Sequence, residues 1–195
     1  MANPAVVGLA GFGVTTLLLQ LHNFGLCGSG VIFCCALFFG GTTQLIAGLQ
    51  EFKTGNNFGY SAFATYGAFW IGFSCILLIM DLQGVPGTSI GAPLKITGTD
   101  VGCFLFVFTV ITVIFFIGSF AIHMAMFLTF LTLLLGFIGL DLVFLAGMKE
   151  VLFITAVDLV ICALLALYMM GHVIFLQLYG RNVWPVGGPL VKKKA

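Results

Sequence analysis

Asn3 to Asn23 reads NPAVVGLAGFGVTTLLLQLHN, apolar enough to enter a bilayer and yet crowded with glycine and polar atoms. About 20 mostly apolar residues suffice for a helix to cross the hydrocarbon layer. Gly8, Gly11 and Gly13 strip side chains from the first half, so another helix or a solute can approach the backbone closely. Thr16, Gln20 and Asn23 follow at i, i+4 and i+7, which stacks a hydroxyl and two amides along one face. Lipid offers those groups no partner, so the face points at neighbouring helices or at a wet path. Asn3-Pro4, just before the run, suits a helix opening whose free N–H groups aim outward at an anion.

The remaining chain has the same character. Of its 195 residues 61% are hydrophobic and 7% charged, with a mean hydropathy of +1.23, whereas soluble domains carry about 25% charge. An integral membrane protein follows, with lipid as its surroundings. Seven Lys and Arg against six Asp and Glu leave +1, a balance that gives no reason to expect a nucleic-acid partner. The apolar start lacks a basic n-region and a small-residue cleavage pattern, so it is read as retained. Six runs of spanning length lie at approximately 4–22, 29–50, 58–80, 101–120, 123–146 and 152–178, which predicts an all-α bundle of six transmembrane helices in a single domain, 1–195. Only Gly118, Ser119 and His123 interrupt the fourth and fifth runs, so a five-helix reading stands beside the six-helix one. Cytoplasmic termini put Lys53, Arg181, Lys192, Lys193 and Lys194 inside and Lys95 and Lys149 outside, the arrangement that the positive-inside rule favours for a multi-pass protein of the cell membrane.

Polar residues inside the runs form the functional shortlist, because each costs free energy in lipid unless it finds a partner. Gln44 and Glu51 are seven apart in the second run and share a face. In the third, Ser61, Thr65 and Tyr66 precede Phe69, Trp70 and Phe73, a polar opening followed by an aromatic stripe. Tyr66 can line a narrow passage with an apolar body and still offer one hydrogen bond. Glu51 is either a proton-relay carboxylate or a helix-end residue near Lys53. Asp158 lies roughly 9 Å along its helix, at the interface or buried. The six cysteines show no CxxC pair and lie mostly in apolar runs, where a thiol acts as a small hydrophobe. His22, His123 and His172 lie on different helices, and nothing in the spacing makes them haem ligands. HExxH, GxSxG and P-loop patterns are absent. No metal, cofactor or enzymatic activity is expected; passive or ion-coupled permeation is.

Three segments resemble the acetate uptake transporter family, whose bacterial members are succinate/acetate permeases: Asn3 to Asn23, Gly40 to Trp70 (GGTTQLIAGLQEFKTGNNFGYSAFATYGAFW), and YGRNVWPVGG at Tyr179 to Gly188. Val6-Val7 stands where the family usually has Pro-Leu, and residues 81–160 match weakly. The resemblance implies six helices, a homo-hexamer, a solute path within each protomer and uptake of short carboxylates such as acetate, with succinate in some members. It implies Asn3, Gln44 and Glu51 as functional polar residues, and Phe12 and Tyr66 as members of an apolar constriction, with a third member from the fifth helix for which Phe130 is the best match and Leu131 the next. Thr16, Gln20 and Thr65 complete the expected path from the residues themselves. Phe12 lies between Gly11 and Gly13, so its ring projects from a nearly bare backbone, as a gate or as helix packing. Every Lys and Arg lies near a helix end or in a loop, so no fixed cation traps a carboxylate midway, and weak binding by amides, hydroxyls and helix N-termini suits throughput. Two other functions compete with a permease: a membrane scaffold whose polar residues only join helices, and passage of ammonium or ammonia. Proton symport and channel-like anion flow are both open.

Overall fold

The computed structural model describes residues 2–87 and 94–192. Lys193 and Lys194, counted above for orientation, lie outside the described residues. Among those described, six helices are long and apolar enough to cross a membrane: α1 (Ala5–Asn23), α2 (Ser29–Thr54), α3 (Asn57–Gln83), α4 (Gly98–Ser119), α5 (Met124–Phe144) and α6 (Leu152–Tyr179), the last preceded by a 3-10 turn at Lys149–Val151. The chain is an all-helical multi-pass membrane protein. With six crossings both termini lie on one side, called here the terminal face.

The short break between the fourth and fifth runs is a true turn. Phe120 to Ile122 form it, and His123 is fully extended (φ −166°, ψ 163°) while its ring nitrogen accepts from the Met126 amide, which starts α5 afresh. The five-helix reading therefore gives way. On the opposite side Thr97 and Asp100 form a reciprocal capping box that starts α4. Between α2 and α3 the chain reverses through Gly55, whose φ of +77° only glycine adopts cheaply.

The helices stand in a ring in chain order: each packs on the next, and α6 closes on α1. Glycine sets the closest approaches. A Cβ on Gly136 or Gly139 of α5 would run into Leu159 or Thr155 of α6, one on Gly13 into Leu167, and one on Gly48 or Gly67 into the α2–α3 seam. Across α3 and α4 the backbones stay farther apart, and rings fill the gap: Phe69 packs against Phe104 and Phe108 at 5.4 and 4.8 Å between centroids. Small residues where backbones touch and aromatic residues where they do not is how a ring closes without a hydrophobic drive between helices.

Between Ala36 and Thr43 α2 is a π-helix rather than an α-helix. The Thr42 and Thr43 hydroxyls donate to the carbonyls five residues back, Leu37 and Phe38, each at 2.8 Å. The Phe39 carbonyl faces Gly11, and Gly40 sits under Thr15, so the bulged segment is wedged against the glycine-rich half of α1. Gln44 follows at once.

Candidate functional site

The ring encloses two cavities in line. A vestibule of about 520 Å³ opens between the α2–α3 turn and the α4–α5 turn, lined by Gly55, Asn56, Ala121, Ile122 and Met126 at its mouth and by Gln44, Thr129 and Phe130 deeper in. Beyond it lies a chamber of about 30 Å³ with Thr16, Gln20 and Trp70 in its wall. Phe12, Tyr66 and Leu133 line both, so these three side chains form the partition.

The partition is rigid for identifiable reasons. Phe12 meets Tyr66 edge-on at 5.9 Å; Phe115 and Phe130 lie 5.7 and 6.3 Å from the Tyr66 ring. The Tyr66 phenol donates to Thr112 Oγ1 at 2.8 Å, and Thr112 in turn donates to the Phe108 carbonyl at 2.6 Å. Tyr66 is 3% exposed and Thr112 fully buried, so that chain of hydrogen bonds fixes the phenol toward α4 and leaves its ring edge at the partition. Gly8 and Gly11 leave α1 without Cβ atoms where Phe63, Gln44 and the Phe39 carbonyl press in. That close approach sets Phe12 at the centre of the bundle.

Three buried polar atoms on residues of these walls have no protein partner: Gln44 Oε1, Thr16 Oγ1 and Trp70 Nε1. Their side chains are 1, 3 and 3% exposed. Gln44 lines the vestibule, and Thr16 and Trp70 line the chamber, one set on each side of Phe12. Buried polar groups are paired almost without exception, and an unmade hydrogen bond costs about 1–3 kcal/mol. In this arrangement all three are closed off from the cavity space, and the chamber presents an apolar surface. Gln20 is committed elsewhere: its amide donates to the Thr16 carbonyl and accepts from Asn23, so the polar stripe of α1 is partly tied to itself. Among the described residues, no Asp, Glu, His, Lys or Arg lines either cavity.

Other residues singled out from the sequence lie off these walls. Asn3 is exposed, and its Oδ1 accepts from the Ala5 amide at 2.9 Å, which occupies one of the free helix-opening N–H groups. Glu51 is 2% exposed and lines neither cavity; its carboxylate accepts from Asn56 Nδ2 at 2.7 Å, while Asn56 Oδ1 caps α3 at the Gly59 amide. Glu51 thus touches the mouth through Asn56. Thr65 and Leu131 are partly exposed and border neither cavity, and Phe130 borders the vestibule alone. His22 lies at the end of α1 opposite the terminal face, away from His123 and His172. Asp158 is half-buried, with Oδ2 unpartnered. Leu133, Thr112 and Thr129 were not on the sequence shortlist: they sit in helices apolar all round, where no periodicity separates an inward face from an outward one.

A family model described as GPR1/FUN34/yaaH matches residues 1–177. The succinate-acetate/proton symporter SatP of Escherichia coli (strain K12) is 36% identical over 191 residues, covering 96% of each chain. Acetate permease A of Emericella nidulans is 40% identical over 79 residues, 39% of this chain and 26% of that protein. The solved structure of the bacterial acetate channel SatP superposes with a TM-score of 0.85 at 34% identity, over 96% of this chain and 99% of that one.

Proposed function

The chain belongs to the GPR1/FUN34/yaaH family, and from that premise we propose that vestibule, partition and chamber form a path by which acetate and other short carboxylates cross the membrane, one path per protomer. The observation that carries this reading is the set of unpartnered buried polar groups on both sides of Phe12. Gln44 lines the vestibule, and its amide NH2, which makes no hydrogen bond to the described residues, is free to donate to an anion there. Thr16 and Trp70 hold an unpartnered hydroxyl and indole N–H in the wall beyond the partition, which a solute reaches once those side chains turn toward it. The N-terminal end of α3, at Asn57, adds its dipole at the mouth. All are neutral. A carboxylate gives up part of its hydration to them and leaves again, which a lysine or arginine in the wall would prevent.

Phe12, Tyr66 and Leu133 act as the neck, with Phe130 supporting Tyr66 from the vestibule wall. An apolar neck admits an anion only as water contacts are surrendered, so it selects for small solutes of low charge. Among the described residues no carboxylate or imidazole lines the cavities to carry a proton along with the anion, which supports channel-like movement. Asn3 and Glu51 serve by shaping the mouth, the first by capping α1 and the second through Asn56. The protomers assemble as a homo-hexamer, with both termini in the cytoplasm; Lys53 and Arg181 on the terminal face agree with that orientation.

The test is uptake of labelled acetate by proteoliposomes of the purified protein under an imposed potential and no pH gradient. The expected result is potential-driven uptake above that of protein-free vesicles. Absence of uptake for every short carboxylate removes the permease reading, and uptake that appears only with a proton gradient removes the channel-like part of it.

A further inference from the structure

Residues 182–191 return from the end of α6 across the terminal face, and nothing in the path just described uses them. They are nevertheless firmly anchored. Tyr168 stacks on the Trp184 indole at 5.1 Å with the rings 6° from parallel, and Phe175 meets the same indole edge-on at 4.8 Å. Gly171 lies directly under it, where a Cβ would collide. His172 Nδ1 donates to the Trp184 carbonyl at 2.6 Å, and the Tyr168 hydroxyl to the Pro185 carbonyl at 2.9 Å. From this anchor the segment crosses to the α4–α5 turn. The Ala125 amide donates to the Val186 carbonyl at 3.0 Å, and the Leu190 and Val191 amides donate to the Phe120 carbonyl at 2.9 and 3.0 Å. That turn is a wall of the vestibule, through Ala121, Ile122 and Met126.

His123 stands where the strap meets the wall. Its Nδ1 accepts from the Met126 amide at 3.1 Å, so in the neutral ring the hydrogen is on Nε2, and a second proton must go to Nδ1 and abolish the cap. Burial, and after it the charge on His172, hold His123 below the ordinary histidine value. The ionisable groups around it are few. α6 contributes His172, Tyr168 and Tyr179, the last turns of α4 and the first turns of α5 contribute none, and residues 182–191 carry none between Arg181 and Lys192.

We propose that residues 182–191 are a strap that fixes the width of the vestibule mouth, and that protonation of His123 releases it. A proton on Nδ1 takes the acceptor from the Met126 amide and sets an imidazolium against His172, whose own hydrogen ties down Trp184. The α4–α5 turn then swings away from the mouth, and bulkier carboxylates enter. The effect on transport rests on the carboxylate path proposed above; release of the strap does not.

Hydrogen–deuterium exchange of the full protein in detergent tests the release directly. Exchange in 120–127 and 183–191, corrected for its intrinsic pH dependence, is compared at about pH 7.5 and about pH 4.5, the lower placed well under the ordinary histidine value because burial holds His123 below it. The parent should exchange about fivefold faster in acid, the effect of losing one helix cap. His123→Asn, which keeps a capping oxygen but cannot titrate, should exchange equally at both, and Trp184→Ala should exchange fast at both. No acceleration in the parent, or acceleration that survives in His123→Asn, overturns the proposal. In proteoliposomes the succinate-to-acetate uptake ratio of the parent, divided by that of His123→Asn at the same pH, cancels protonation of the substrates. It should be near one at about pH 7.5 and rise several-fold at about pH 4.5; a flat quotient overturns the role of the strap at the mouth. Failure of the carboxylate path itself shows differently, as no acetate uptake at either pH.

Discussion

Replacing Phe12 with alanine removes the ring that separates the vestibule from the chamber. Phe12 is 7% exposed and contacts Tyr66 edge-on at 5.9 Å, so the variant loses a buried aromatic side chain worth about 3–5 kcal/mol in stability. The cost falls at the lower end of that range if water fills the space, because the vestibule already opens to solvent. The gain is a wider neck. Each 1.4 kcal/mol taken off the barrier there speeds passage about tenfold, and the gain grows with solute size because acetate already fits. The assay is uptake of carboxylates of increasing bulk by proteoliposomes containing equal amounts of folded protein, checked by gel filtration and thermal unfolding. Phe12→Ala should admit carboxylates that the parent excludes, while Phe12→Leu, which keeps an apolar plug, should stay close to the parent. If Phe12→Ala is less stable but keeps the parent's size limit, Phe12 merely packs between helices and the neck assignment is refuted.

Gln44→Ala should lower acetate uptake about tenfold or more, the worth of one hydrogen bond to an anion, while thermal stability in detergent barely moves, because Gln44 Oε1 has no protein partner to lose; a variant that unfolds or dissociates yet transports normally contradicts this. Glu51→Gln keeps an acceptor for Asn56 and should retain uptake and its pH dependence, whereas Glu51→Ala should cost about 1.5–3 kcal/mol by leaving Asn56 unpaired in thermal unfolding; loss of pH dependence in Glu51→Gln points to a proton relay instead. Gly136→Ala drives a methyl group into Leu159 and should cost about 1–3 kcal/mol through separation of α5 from α6, seen as a lower melting temperature; an unchanged one contradicts the close-packed seam.

The six crossings were legible because a bilayer imposes a length and an apolar composition that few other structures share, and because glycine, asparagine and charge mark the turns. Inside the membrane that same composition erases the signal that would tell inward from outward. Thr16 and Gln44 could be shortlisted since a polar group in lipid needs a reason, and Leu133 could not, being one leucine among many. The meeting of Phe12 with Tyr66 depends on how α1 and α3 are rotated, which follows from where glycines let α1 sink toward Phe39 and Gln44. The π-helical stretch at Ala36–Thr43 leaves no trace in hydropathy at all, yet it immediately precedes Gln44. Glu51 and Asn56 are close in sequence, but their hydrogen bond across the α2–α3 turn is a property of the turn, which composition describes only as a break. The strap reads in sequence as a tail with Trp, Pro and Gly; only the packed Tyr168–Trp184–Gly171 contact reveals that it is built into the wall.

If an anion passes between Gln44 and Trp70 through each protomer, it can be located there. (Methylseleno)acetate carries the carboxylate and an anomalously scattering selenium on a carbon framework with no leaving group for the six free cysteines to displace, so crystals of the protein soaked with it locate the ligand. Anomalous peaks are expected within the bundle on both sides of Phe12, one in the vestibule beside Gln44 and one in the chamber beside Thr16 and Trp70. Peaks confined to the outer surface or to spaces between protomers, in protein that transports (methylseleno)acetate, contradict such a path.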